Sequence, residues 1–186
     1  MRLVRFAMGT FFVSLALSLA LSGTAEAREE SIIKQPDQHP DYLAELDVHG
    51  VVAYSAGPLA LGRYDLLGFG PGVEASFRVL KNGFIPTLNN SIAVGVGAEL
   101  VFTTDGDVRL VTPVVLQWNF WWTTHFSVFG EPGLAIEFPM STPRGVEPVY
   151  ASPILELGGR YNFNDHFALT ARVGYPLTTF GVSFFL

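Results

Sequence analysis

The sequence predicts an all-β fold: eight antiparallel strands that run up and down and close into a barrel whose wall crosses a membrane. Three observations carry this. From Tyr42 to Leu186, apolar and polar residues alternate with a period of two in one segment after another, the half-buried strand pattern rather than helical spacing. Turn-forming residues break the alternation at intervals, as at Lys81-Asn82-Gly83, Thr104-Asp105-Gly106-Asp107 and Asn164-Asp165-His166. Aromatic residues gather where strands end, most densely in the hairpin Arg109–Phe138, where Trp118, Phe120, Trp121, Trp122 and Phe126 crowd the polar turn Thr123-Thr124-His125. Rings so placed suit a strand that crosses a bilayer, because they settle between hydrocarbon and water.

Residues 1–27 read as a cleaved signal peptide. Arg2 and Arg5 make a positive start, Phe6–Leu21 is apolar, and Ala25-Glu26-Ala27 is a small-x-small cleavage site. The remainder fits one domain by length. No later stretch offers the roughly 18 apolar residues of a spanning helix. The chain has no cysteine, which excludes disulfides, thiolate metal sites and a lipid-modified cysteine. Taking Arg2 and Arg5 from the 11 basic residues, and Glu26 from the 17 acidic ones, leaves a balance of −7. Such acidity argues against nucleic acid as a partner.

Residues 28–41, polar with two prolines and no periodicity, read as a flexible periplasmic leader, the alternative being a short arm that plugs the lumen or touches a partner; the barrel is residues 42–186. Strand one (43–56) sets Leu46, Val48, Val52 and Tyr54 against Glu45, Asp47, His49 and Ser55. A rim loop at Pro58–Asp65 leads to strand two (68–80), with Val73, Ala75, Phe77 and Val79 opposite Gly72, Glu74, Ser76 and Arg78. Strand three (91–103) opposes Ile92, Val94, Val96, Ala98, Leu100 and Phe102 to Ser91, Gly95, Gly97, Glu99 and Thr103. The Arg109–Phe138 hairpin supplies the next two strands, with Gln117, Asn119, Ser127, Glu131, Gly133 and Glu137 on their polar sides. A proline-punctuated loop, Pro139–Pro148, precedes strand six (149–163), where Leu155, Leu157 and Tyr161 face away from Glu156, Gly158 and Arg160. Strand seven (167–175) alternates Phe167, Leu169, Ala171, Val173 and Tyr175 with Thr170, Arg172 and Gly174. The last strand follows Pro176–Thr179 and carries Phe180, Val182, Phe184 and Leu186 on one side.

Charges that share a strand share a parity, as Glu45, Asp47 and His49 do, or Glu156 and Arg160. A Lys or Arg facing lipid at mid-membrane costs about 2–4 kcal/mol, so this sorting is what a bilayer demands. A soluble barrel would show the same parity with its faces exchanged. Three features decide for charges inside. The polar face is rich in glycine, as a narrow interior with large charged neighbours needs. The chain ends on an alternating strand, GVSFFL. Rings form two levels: Trp118, Phe120, Trp122, Phe126, Phe163 and Phe167 at one, and Tyr54, Phe69, Phe102, Phe138, Tyr150 and Tyr175 at the other. Pro113, Pro132 and Pro153 lie within strands, where each removes a ladder donor. They are expected at bulges or towards the outer half of the wall.

An export signal, eight alternating strands, short turns on one side and a terminal strand with Val182, Phe184 and Leu186 resemble the small eight-stranded outer-membrane barrels of the OmpA/OmpX type. The resemblance covers residues 43–186 and is architectural. The chain ends in Leu186 where that family usually has Phe, and its rim loops are short. It implies a monomer in the cell outer membrane of a Gram-negative-type cell, with outer-membrane lipids and the barrel-insertion machinery, through the C-terminal strand, as partners.

No catalytic residue, metal or cofactor is expected. His125, Ser127 and Glu137 are the residue types of a hydrolase triad, but a ten-residue strand spans about 33 Å, which separates Glu137 from the turn. Glu131 and Glu137 lie about 20 Å apart along one strand, too far to share a substrate bond. The histidines have no metal-ligand spacing. The informative set is the lumen charge network: Glu45, Asp47, His49, Glu74, Arg78, Glu99, Glu131, Glu137, Glu156, Arg160 and Arg172. Eight strands enclose an interior that side chains can fill, so these charges must be paired or wet. The expectation is a non-enzymatic structural envelope protein with a narrow pore that would prefer cations, since acids outnumber arginines there. The rival readings are a soluble periplasmic barrel of lipocalin type holding a small apolar ligand, and an outer-membrane lipid-modifying enzyme.

Overall fold

The computed structural model describes residues 30–55, 66–141 and 148–186. The expected signal peptide, the first two residues of the leader, the rim loop at 58–65 and residues 142–147 lie outside the described residues. Eight strands follow in chain order: β1 (Ala44–Ser55), β2 (Leu66–Leu80), β3 (Asn90–Thr103), β4 (Val108–Trp121), β5 (Phe126–Ser141), β6 (Tyr150–Asn164), β7 (Phe167–Tyr175) and β8 (Leu177–Phe185). Each pairs antiparallel with the next. β1 also pairs with β8, from Glu45 opposite Phe185 to Ala53 opposite Leu177, and so closes the barrel. Closure leaves no strand edge unpaired.

Two boundaries differ from the sequence reading. β5 continues through Pro139, which was expected in a loop, to Ser141; a register shift between Val108 and Arg109 absorbs the irregularity. β8 starts at Leu177 rather than Phe180, because the β-branched Thr178 and Thr179 fit a strand and only Pro176 separates β7 from β8.

At three of the prolines the ladder itself is interrupted. Between β3 and β4 the pairing passes from Val96–Val114 to Glu99–Val111 and skips Pro113. Between β4 and β5 it passes from Val115–Gly133 to Trp118–Gly130 and skips Pro132. Pro71 in β2 occupies a third such gap, between Phe69–Phe102 and Gly72–Glu99. Pro153 pairs with Leu134 on one side but lies beyond the end of β7 on the other, where pairing starts at Leu155. None of Pro71, Pro113, Pro132 and Pro153 needs a bulge: the register shifts fall elsewhere.

Alternation sends the ionic residues inward. Glu99 and Glu156 are 1% and 2% exposed, whereas Leu116 and Leu169 are more than a third exposed. Glycines make room for this interior: a Cβ at Gly72 would strike the Glu99 carboxylate and the His49 ring, and one at Gly158 the Phe129 ring. Ile92 departs from the expected outward face and is buried. It pairs with Leu80 and Trp118, beside the place where Phe84 of the β2–β3 turn packs edge-on against Trp118.

From Ser31 onward, the stretch expected as a flexible leader packs across the end of the barrel that carries the short turns. Ile32 and Tyr42 are buried with Trp121, Ala168 and Phe185. Ile32 N–H donates to Trp122 O at 3.0 Å and Asn89 N–H to Ile33 O at 2.7 Å. His39 stacks on Trp121, with ring centroids 5.8 Å apart. The physical reason is composition on a scale shorter than a periodicity: Ile32, His39 and Tyr42 supply enough ring and aliphatic surface to cover the barrel end, while Gln35, Asp37 and Gln38 make the turns between them.

Candidate functional site

The interior is layered along the barrel axis. Next to the cap lies an ionic layer to which every strand contributes. The period of two places Glu45, Asp47 and His49 of β1 inward. With them stand Glu74 and Ser76 of β2, Glu99 of β3, Gln117 and Asn119 of β4, and Phe129 and Glu131 of β5. Glu156 and Arg160 of β6, Thr170 and Arg172 of β7, and Ser183 of β8 complete the circle.

Two guanidiniums organise it. Arg160 donates through Nε to Glu45 Oε1 at 2.9 Å and through Nη2 to Glu45 Oε2 at 2.7 Å, a bidentate fork across the lumen. Its Nη1 donates to Asn119 Oδ1 at 2.6 Å, and its plane lies 4.0 Å from the Phe129 ring centre. Arg172 holds three acids at once: Glu131 Oε2 at 2.8 Å, Asp47 Oδ1 at 3.0 Å and Glu74 Oε1 at 3.3 Å. Neutral side chains join the two centres. Asn119 donates to Gln117 Oε1 at 3.1 Å and Gln117 to Glu131 Oε1 at 2.7 Å. Ser183 donates to Asp47 Oδ2 at 2.8 Å, and the His49 ring bridges Asp47 to Glu99, with Nε2 2.8 Å from Glu99 Oε2. A chain of contacts therefore runs Glu45–Arg160–Asn119–Gln117–Glu131–Arg172–Asp47–His49–Glu99.

Glu156 stands outside this chain. It faces Glu131 directly across the β5–β6 ladder, is buried, and its Oε1 has no hydrogen-bond partner. The layer thus contains six buried carboxylates, Glu45, Asp47, Glu74, Glu99, Glu131 and Glu156, against the guanidiniums of Arg160 and Arg172.

Beyond it comes an aliphatic layer of Val51, Val101, Val111, Val115, Ala135, Ile154 and Leu177. At the far mouth Arg109 donates to Asp107 Oδ2 at 2.8 Å and lies 3.7 Å from Glu137. A small cavity of about 40 Å³ here is lined by Tyr54, Arg109, Val111, Glu137 and Leu177. Tyr54, read as a girdle ring, lines this mouth and donates its hydroxyl to Gly174 O.

The residues expected in one network therefore fall into three places. Glu45, Asp47, His49, Glu74, Glu99, Glu131, Arg160 and Arg172 meet in the ionic layer, with Glu156 beside them. Glu137 belongs to the mouth. Arg78 belongs to the cap, where it donates to Asp41 and, at 3.3 Å, to Pro40 O. That hydrogen bond, with the charge of Lys81 adding to it, holds the Asp41 carboxyl below the usual carboxylate range; burial pushes the Tyr42 phenol up to about 12. Sequence reasoning missed Gln117, Asn119 and Ser183 as connectors, although their inward parity marks them. It also missed Phe129 and Trp121, whose apolar character hid an inward position.

The outer rings are unequal. At the turn end they run in contact: Trp118 with Phe120 at 4.9 Å, Tyr161 with Phe163 at 5.2 Å, Phe163 with Phe167 at 5.4 Å and Phe167 with Phe184 at 5.6 Å. At the other end Phe69, Phe102, Phe138 and Tyr150 are exposed on the wall.

The triad residue types do not assemble. His125 lies in the β4–β5 turn against Tyr161 and Thr124, Ser127 Oγ has no hydrogen-bond partner, and Glu137 sits with Arg109. Among the described residues no group of three or more His, Asp or Glu is placed to hold a metal ion.

No protein-family model matches the sequence, and no curated protein matches it. Among solved structures the chain is similar to a de novo designed transmembrane β-barrel, at 11% identity over 78% of this chain and 98% of that one, with a TM-score of 0.47. It is similar also to Neisserial surface protein A, at 13% identity, 78% and 96% coverage and a TM-score of 0.45. The Yersinia pestis outer membrane protein Ail aligns at 12% identity, with 78% and 100% coverage and a TM-score of 0.43. The eight-stranded closure itself rests on this chain's own ladders: an antiparallel barrel with ion pairs inside and apolar side chains outside.

Proposed function

We propose that this protein is a non-enzymatic outer-membrane β-barrel, a structural component of the cell envelope that works as a monomer embedded in outer-membrane lipid. One observation carries the reading. Large apolar side chains face outward on every strand, among them Leu157 at 69%, Val173 at 65% and Phe180 at 60% exposure, while the carboxylates and guanidiniums are enclosed. Water would favour the reverse arrangement, and a bilayer favours this one. The outward Val182, Phe184 and Leu186 of the last strand are the surface offered to the barrel-insertion machinery.

The filled interior supports a pore that is shut at rest. The cap closes one end, and the aliphatic layer crosses the lumen between the ionic layer and the mouth. Any path that opens would prefer cations, because carboxylates outnumber guanidiniums along it. A lipocalin-type reading needs an apolar ligand chamber. The mouth cavity is about 40 Å³. The roomier one, about 500 Å³, lies at the turn end among Asp41, Tyr42, Asp165, His166, Phe185 and Leu186, where charged and polar side chains share its lining.

Extraction from membranes tests the assignment. The protein should resist salt and urea, dissolve in detergent, and change gel position on boiling. Leu157→Arg should lower stability in bilayers by about 2–4 kcal/mol. Release by urea without detergent would reject the membrane reading, and anion-selective current in planar bilayers would reject the cation preference.

A further inference from the structure

The cap is tied to the barrel in a way that a structural lid need not be. Its deep contacts are apolar: Ile32 and Tyr42 lie against Trp121 and Phe185, with Tyr42 and Phe185 ring centroids 4.7 Å apart. Its rim contacts are ionic and half open to solvent. Lys81 Nζ lies 3.0 Å from Asp37 Oδ1, and Arg78 pairs with Asp41. The His39 ring lies 2.9 Å from Lys81 O. None of residues 31–43 belongs to a strand, and release costs only a few backbone hydrogen bonds: Ile32 N–H to Trp122 O, Asn89 N–H to Ile33 O, and at Leu43 those with Leu186 O and Arg78 N–H.

Around and beneath this apolar contact, several inward-facing polar atoms are poorly matched to one another. Trp121 Nε1, Ser127 Oγ and both polar atoms of the Asn162 amide are buried without a hydrogen-bond partner. Buried groups of this kind are costly when unmatched, and water or a polar solute relieves that cost. Next to them comes the acid-rich layer, with Glu156 Oε1 also unpartnered.

We infer that residues 31–43 are a releasable plug over a one-ended, cation-accepting chamber, whose floor is the aliphatic layer of Val51, Val101, Val111 and Ile154. Release admits water and small cations to Glu45, Glu131 and Glu156 without opening a passage through the barrel. This deepens the closed-pore reading and rests on it, but not on the membrane assignment, because it can be measured on the folded barrel in micelles.

The chain lacks cysteine, so a single introduced thiol is a clean reporter. Ser127→Cys places one in the first layer under the plug, at the level of Trp121, and breaks no side-chain hydrogen bond. Val115→Cys places another in the aliphatic layer. Each is combined with Ile32→Asp and, as a milder release, with Asp37→Ala and Asp41→Ala together; the boiling-dependent gel shift confirms that each variant is folded. The expected result is labelling at position 127 that rises about tenfold or more on release, with position 115 still protected. A positively charged methanethiosulfonate should react about tenfold or more faster than a negatively charged one of similar size. Equal labelling at 127 with and without the release changes would overturn the plug. Joint labelling of 127 and 115 would overturn the closed floor, and equal rates for the two reagents would overturn the cation preference. Extraction without detergent would leave these outcomes standing and count only against the membrane reading.

Discussion

The two halves of the barrel interior are made of different materials. In the half near the turns, from Glu45 to Glu99, large side chains are held by directional bonds that cross the lumen. In the half near the mouth, Val51, Val101, Val111, Ile154 and Leu177 are held by contact alone. A slip of one residue in any ladder would flip all inward side chains outward. In the ionic half that slip would also tear Arg160 from Glu45 and Arg172 from three acids. The ionic half therefore specifies the register, whereas the aliphatic half mainly excludes water. The outer wall makes no such distinction, because lipid asks only that it be apolar.

The largest effect is expected at the hub. Arg172→Ala leaves Asp47, Glu74 and Glu131 without their shared donor, and removing one partner of a buried ion pair costs about 3–5 kcal/mol. The urea midpoint of the refolded barrel should fall accordingly. Ile154→Ala in the other half should cost about 2–5 kcal/mol, the usual range for an aliphatic side chain lost from a packed core, and towards the lower end because this layer adjoins the mouth. A greater loss for Ile154→Ala than for Arg172→Ala would reverse the comparison.

The smallest effect belongs to the cap. The Asp41 carboxyl is held below its ordinary pKa by Arg78, with Lys81 and His39 adding positive charge. A depressed pKa contributes stability that is complete above the unfolded-state value near 3.8 and fades as pH falls through the folded value. The Ile32 amide, bonded to Trp122 O, should therefore exchange faster at pH 2 than at pH 5 relative to its intrinsic rate. Asp41→Asn should flatten that difference. Because Asp41 is solvent-exposed, the whole-protein stability should move little.

Much of this was legible in the sequence, for a simple reason. Alternation depends only on neighbours along the chain, so the eight strands and the sorting of acids from Leu116, Leu157 and Leu169 onto opposite faces are read directly. Which face turns inward takes the glycines, the terminal strand and the ring levels. Pairing depends on stagger between distant strands. That Arg160 would meet Glu45, 115 positions away, or that Arg172 would gather acids from β1, β2 and β5, has no local signature. Arg109 reads as the first residue of a strand with no facing of its own, although it pairs inside with Asp107 and Glu137. Phe129 shows the opposite failure: an aromatic residue on a polar face reads as an exception, yet its ring lies under both guanidiniums. The cap stands in the sequence only as the alternative to a flexible leader, because three buried side chains in 13 residues make no periodicity.

The proline gaps give the wall a grain. Pro71, Pro113 and Pro132 interrupt three successive seams, stepping from residues 100–101 to 97–98 on β3 and from 112–113 to 116–117 on β4. A diagonal line of missing stitches thus crosses one quadrant of the cylinder, while the seam joining β1 to β8 is continuous over its paired length. Squeezed from the side, the tube should yield along that diagonal first and stay round elsewhere, so its compliance has a direction written by three pyrrolidine rings.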